Sequence, residues 1–203
     1  DRIKNKFSKD LSSCDKEEFK DNLKIINNQI KQIEKLVNEF SDFARMPKPI
    51  MKKNNLVVLL NDTINLLKEL DKSIEIKFNS NYDNIELNSD PEQLTRVFFN
   101  LIKNSIESIH QKAEKSADFD KKISIELNDF DDHIHLIIND NGIGFGILEK
   151  NIKDILNPYF TTKKNGTGLG LSIVNKIVND HNGNIRFLNI DNGAKIEIIF
   201  SKK

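Results

Sequence analysis

Apolar side chains recur at Phe19, Leu23, Ile26, Ile30, Ile33, Val37, Phe40 and Ala44, with gaps that alternate between four and three residues. That heptad rhythm predicts a long helix whose apolar seam belongs in a bundle. Asp15 with Glu18 reads as a capping box that opens the helix. Met46-Pro47-Lys48-Pro49 should stop it, because prolines remove donors and push their predecessors out of the helical region. A seam of this kind is not stable alone in water, so a second helix or another subunit must cover it.

The pattern changes near residue 50. Leu56–Leu60 reads as a short strand followed by a helix through Leu67, Ile74–Phe78 alternates as a half-buried strand does, and Ile85–Leu87 reads as another strand. Asp90-Pro91-Glu92-Gln93 supplies an N-cap, a proline at the first helical position and a Gln three residues after the cap. The helix that follows should bury Leu94, Val97, Phe98, Leu101, Ile102, Ile106 and Ile109 along one face. Lys122–Leu127 with His133–Ile138, and Asn184–Leu188 with Lys195–Phe200 around Asp191-Asn192-Gly193, read as two hairpins. Helices alternating with paired strands give an α+β fold, a two-layer α/β sandwich, preceded by the long helix. The expected organisation is 1–49 for the helical part and 50–203 for the sandwich.

Composition narrows the functions. With 203 residues and Lys+Arg and Asp+Glu both at 31, net charge gives no general reason to expect nucleic-acid binding. The single Cys14 excludes an internal disulfide and an all-cysteine metal site. The longest apolar run, Leu56–Leu60, is far short of the roughly 20 residues that span a bilayer, so a soluble piece is expected. A chain that starts at Asp1 without Met is expected to come from a longer protein.

Three constellations carry candidate chemistry. Asn100 and Asn104 are one helical turn apart and, with Glu107, lie beside the apolar stripe. Amide oxygens there suit magnesium, although an Asn-rich chain also places Asn in helices without function. Asn139-Asp140-Asn141-Gly142-Ile143-Gly144-Phe145-Gly146 follows a strand. Asp140 can accept from an exocyclic amine, and Gly142 and Gly144 let backbone pass close to a flat ring; a tight turn is the alternative. In Gly166-Thr167-Gly168-Leu169-Gly170-Leu171-Ser172 alternate glycines run into a helix start, where unpaired N–H groups favour phosphates. The spacing matches neither a P-loop nor a dinucleotide fingerprint, and a glycine hinge is the alternative. Just upstream, Pro158–Lys164 reads as a flap with aromatics and lysines.

NLIKNSIESI at 100–109, NDNGIGF at 139–145, NPYFTTKKNG at 157–166 and GTGLGLSIVNKIV at 166–178 resemble, in order, the four ATP-binding boxes of sensor histidine kinases. The same fold occurs in type II topoisomerases, mismatch-repair ATPases and the 90 kDa heat-shock chaperones. EKLVNEFSDFARMPKP, at 34–49, resembles the end of the second dimerisation helix of NtrY-like nitrogen-regulation sensor kinases. The resemblance implies a mixed sheet against helices that binds ATP with Mg²⁺. It implies that Asp140 meets the adenine amine, that Gly142 and Gly144 line the base, and that Asn104 with Asn100 holds the metal. Gly166, Thr167, Gly168, Leu169 and Gly170 would follow the triphosphate, with Lys163 a phosphate contact and the Phe160 region a lid. It further implies a homodimer through a helix bundle, a response regulator as partner, and a cytoplasmic region of a parent anchored in the bacterial inner membrane.

One departure matters for mechanism. A histidine kinase needs an imidazole on the first bundle helix, and His110, His133, His135 and His181 all lie elsewhere. His110 ends the Asn-bearing helix, His133 and His135 are assigned to a solvent-facing strand edge, and His181 to a turn. The phospho-acceptor is therefore expected upstream of Asp1, with Arg2–Phe7 as the tail of the first helix. Hydrolytic relatives commonly have Glu where this chain has Asn100; an amide is no general base, and Glu107 is given a supporting role. A self-contained ATPase and an ATP-binding interaction module without kinase activity remain as alternatives.

Overall fold

The computed structural model describes residues 13–116, 119–145, 149–163 and 166–202. It divides into two units, Asp1–Met46 and Pro47–Lys203. In the first, helix α1 (Ser13–Ala44) runs for 32 residues, about 48 Å at 1.5 Å per residue. Asp15 lies inside this helix rather than capping it, since Ser13 and Cys14 are already helical. The C-terminal stop falls where the prolines require, with a last turn closed by Arg45 N–H to the Ser41 carbonyl at 2.9 Å. Ile26, Ile30, Ile33, Val37 and Phe40 are all about half exposed, 48–59%. The expectation for Arg2–Phe7 lies outside the described residues.

The second unit begins with a strand that is almost wholly polar. β1 (Lys52–Asn55) pairs antiparallel with β3 (Glu86–Ser89) as a separate two-stranded sheet. The Asn55 side chain accepts from Val57 N–H at 2.9 Å and so caps helix α2 (Leu56–Leu70). Leu56–Leu60 is therefore helical, not a strand. A run of five apolar residues does not distinguish the two periods, and the cap decides it: Leu56, Leu60, Ile64 and Leu67 are buried at helical spacing.

The main sheet has the order β2-β4-β5-β7-β6, formed by β2 (Glu75–Ser80), β4 (Lys122–Asp129), β5 (His133–Asp140), β6 (Gly183–Ile190) and β7 (Gly193–Ser201). β2 runs parallel to β4 and every other pair is antiparallel, so the sheet is mixed. Ile123, Ile125 and Leu127, then Ile134, Leu136 and Ile138, and Ile196, Ile198 and Phe200 are buried on alternate positions. One face is thus covered by helices and the other is open, a two-layer sandwich. Helix α3 (Pro91–Ala113) contacts β4 and β5, while α4 (Gly170–Asp180) packs on α3 and β6. Both expected hairpins form.

β5 sits between β4 and β7, so His133 and His135 are on the open face of a central strand, not at an edge. His181 is the C-cap of α4 and is 3% exposed. Its Nδ1 donates to the Ile177 carbonyl at 2.8 Å, and its Nε2 accepts from Asp90 N–H at 2.9 Å. The ring thereby ties the C-terminus of α4 to the N-terminus of α3.

Candidate functional site

Helix α3 is set by its cap. The Asp90 carboxylate accepts from Glu92 N–H at 3.0 Å and Gln93 N–H at 3.1 Å through one oxygen, and from Ile50 N–H at 2.8 Å through the other. Burial works against its charge, but these donors outweigh it and hold the carboxyl below its ordinary range. With the N-terminus fixed and the apolar stripe buried, the rotation of the helix is fixed too. Asn100, Asn104, Glu107 and Ser108 then fall at the margin of the covered face, each partly exposed.

Asp140 is the last residue of β5 and shares the parity of Ile134, Leu136 and Ile138, which aims its side chain at the helices. It is 5% exposed, and burial pushes its carboxyl above the usual range even though Gly142 N–H donates to Oδ1 at 2.9 Å. The turn beyond it lies against α3. A Cβ on Gly142 would stand 2.2 Å from Ser108 Oγ, and Ile143 N–H donates to that same oxygen at 3.1 Å. Gly144 has φ +71° beside the Gly193 carbonyl, and Phe145 N–H is held by Asn189 Oδ1 at 3.2 Å. Lys112 braces the turn from below by donating to the Asn141 carbonyl at 2.7 Å.

The alternate glycines have different reasons. At Gly168, φ is +70° and a Cβ would lie 2.4 Å from the Tyr159 carbonyl carbon, while Tyr159 N–H donates to the Gly168 carbonyl at 3.0 Å. Those residues clip the base of the flap. A Cβ on Gly166 would meet Thr161 Oγ1 at 2.4 Å. Gly170 instead opens α4 into space, where the nearest neighbour of an added Cβ is Asn100 Oδ1 at 3.9 Å. No side chain caps α4, so its start offers N–H groups of the kind that favour an anion. Leu169 is fully buried, which confines its role at a ligand to the backbone, and its N–H lies 3.5 Å from Thr167 Oγ1.

The flap also reaches α3 directly. Lys163 Nζ donates to Asn104 Oδ1 at 2.9 Å and pairs with the Glu107 carboxylate. Asn104 thus already holds a cation, which shows that its oxygen, with a carboxylate beside it, suits one; both are hard donors of the kind magnesium takes. Asn100 sits at the glycine loop and Asp140 at the neighbouring strand end, so the three motifs converge on α3. Gly146, Lys164 and Asn165 lie outside the described residues. Sequence spacing missed Ser108, Lys112 and Asn189, which hold the turn after β5. Ser108 was within reach of the same helical-face reasoning, being four residues beyond Asn104; Lys112 and Asn189 carry no local signal.

Among the described residues no three His, Cys, Asp or Glu side chains form a metal cluster, and no helix is long and apolar enough to cross a membrane. A two-layer sandwich with these boxes along α3, β5 and α4 defines a class of nucleotide-dependent ATPase domain. The chain belongs to the histidine kinase-, DNA gyrase B- and HSP90-like ATPase family, whose model matches residues 89–203. It is closely related to NtrY-like sensor histidine kinases: a putative one of Rickettsia felis is 36% identical over the whole chain, and the chain spans 32% of that relative's length. The nitrogen regulation protein NtrY of Azorhizobium caulinodans is 31% identical over 91% of the chain and is covered over 23% of its own length. Among solved structures, the nucleotide-free catalytic domain of histidine kinase ThkA is 28% identical with a TM-score of 0.65, over 75% of this chain and 95% of that one. ThkA in complex with the response regulator TrrA shares the fold at 24% identity and a TM-score of 0.71, over 91% of this chain and 52% of that one.

Proposed function

We propose that residues 50–203 are the ATP-binding catalytic domain of a sensor histidine kinase and that residues 1–49 carry the second helix of its dimerisation and phosphotransfer domain. The γ-phosphoryl group of ATP passes to a histidine outside this sequence and then to an aspartate of a response regulator. The observation that carries this is the buried Asp140 carboxyl at the turn held against α3, an acceptor aimed from a strand end beside an amide-lined helix.

Each residue has a physical task. Asp140 accepts from the adenine amine, and the backbone of Gly142 and Gly144, held close to Ser108 and Gly193, lines the ring. The uncapped start of α4, with Gly166, Thr167, Gly168, Leu169 and Gly170, offers backbone donors to the triphosphate, and Lys163 adds a cation to it. Asn104, assisted by Asn100, holds Mg²⁺, which when bound neutralises phosphate charge and orients the terminal group. Neither Asn100 nor Asn104 removes a proton from water, since an amide is no general base at neutral pH. That disfavours a self-contained ATPase and suits a domain that keeps ATP for transfer.

Calorimetric titration of ATP with and without Mg²⁺ tests the site. Asp140→Asn should weaken binding about 10- to 150-fold, the worth of a ~1.5–3 kcal/mol charged hydrogen bond. Asn104→Ala should remove the gain that Mg²⁺ gives. Wild-type binding by the folded double variant overturns the assignment. Labelling of a separately supplied histidine-bearing helix by this domain distinguishes a kinase from an ATP-binding module, and many turnovers without such a helix would favour the ATPase.

A further inference from the structure

Glu107 is given no contact with base or phosphates in the site as drawn above, yet the flap's cation ends on it. Lys163 Nζ is shared between Glu107 Oε2 and Asn104 Oδ1, the second at 2.9 Å. The other Glu107 oxygen, Oε1, stands 4.0 Å from Lys103 Nζ, on the exposed side of α3. The backbone that delivers Lys163 is fixed independently. Lys163 N–H donates to Thr161 Oγ1 at 3.1 Å, Gly166 N–H to the Lys163 carbonyl at 3.2 Å, and Tyr159 N–H to the Gly168 carbonyl at 3.0 Å. The ammonium therefore arrives at the very amide oxygen that the proposed function gives to the metal.

An ammonium and a divalent cation compete for hard oxygens, and their mutual repulsion opposes sharing one oxygen at close range. We propose that Glu107 is a positioning residue that parks Lys163 on Asn104 in the nucleotide-free protein, so that the flap's own cation keeps the metal's place until metal and nucleotide arrive together. This rests on the magnesium–ATP reading of the site. On arrival the phosphates become the stronger anionic partner for Lys163, Asn104 is released to the metal, and the flap leaves α3 for the ligand. Glu107 is the element that makes the parked state: Asn104 alone is an uncharged acceptor, and the carboxylate supplies the charge that holds the ammonium there.

The test is made without nucleotide. Hydrogen exchange of the Tyr159, Lys163 and Gly166 amides is compared in the wild-type chain, Glu107→Gln, Lys163→Met and Lys103→Met. The first two variants should speed exchange of these amides about 10-fold, while Lys103→Met, which removes only the outer neighbour of Glu107, should leave it unchanged. Mn²⁺ affinity, read by paramagnetic resonance with the metal alone, should rise at least 5-fold in Lys163→Met, because Asn104 and Glu107 are then vacant together. Melting temperatures should stay within the scatter of an exposed pair, since Lys163 and Glu107 side chains keep 29% and 39% exposure. Unchanged flap exchange in both Glu107→Gln and Lys163→Met overturns the proposal, and so does equal Mn²⁺ affinity in Lys163→Met and wild type. Neither result touches adenine recognition, which Asp140→Asn reports separately, so a failure here and a failure of the ATP reading are told apart.

Discussion

Along α3 an apolar side chain recurs every three or four residues, and Leu94, Val97, Phe98, Leu101, Ile102 and Ile109 all end at 0% exposure. Along α1 the same rhythm leaves Ile26, Ile30, Ile33, Val37 and Phe40 about half exposed. Helical periodicity states that a face needs burial and says nothing of what provides it. For α3 the cover comes from α2, α4, β4 and β5. For α1 the described residues of its own unit offer no second element, and the bundle role proposed for residues 1–49 would supply the cover.

Matched substitutions on the two stripes sharpen the contrast. Ile102→Ala should cost about 2–5 kcal/mol in urea unfolding of the sandwich, from lost transfer energy and the cavity left behind. Asp90→Ala should cost about 0.5–2 kcal/mol, the worth of a helix cap. Its pH dependence has a definite sign. The folded carboxyl lies below its ordinary value of 3.8, so its contribution is complete above that value and is lost as pH falls through the folded one. The gap between wild type and Asp90→Ala should therefore be constant near neutrality and close in acid.

Ile30→Ala should shift the unfolding of a dilute chain by no more than about 0.5 kcal/mol, as for an exposed position. A larger loss that grows with protein concentration would show the α1 stripe covered by a second copy. The smallest effect is expected at Asp140. Its folded carboxyl is raised, so charging it costs stability as pH rises from 3.8 through the folded value. Asp140→Asn should melt no lower than wild type at neutral pH, and any gain should shrink on acidification, even as ATP binding weakens.

Much of this was legible along the chain, for local reasons. Asp90 and Pro91 announce α3 because a cap and a fixed φ act within one turn, and both hairpins follow from alternation around short polar connections. β1 was not legible: Lys52–Asn55 has no apolar pattern and exists because its backbone pairs with β3. Leu56–Leu60 was misassigned because the cap that makes it helical is the preceding Asn55. At the site, the shared face of Asn100 and Asn104 on α3 is legible from their spacing, and the place of Asp140 at a strand end from the alternation before it. What spacing did not reveal is that Gly166 and Gly168 are required by the flap's own packing, or that Glu107 and Lys163 meet across 56 residues.

The bond between His181 and Asp90 acts as the zero mark of a ruler. From it, α3 climbs ten residues to Asn100 and α4 descends eleven to Gly170, rises of about 15 and 16 Å that bring the Asn100 amide and the glycine loop level with each other. Inserting one residue into either helix between these points would turn everything beyond it by about 100° and put the two out of step. Length, as much as residue identity, is therefore what the stretch between Asp90 and Asn100 has to keep.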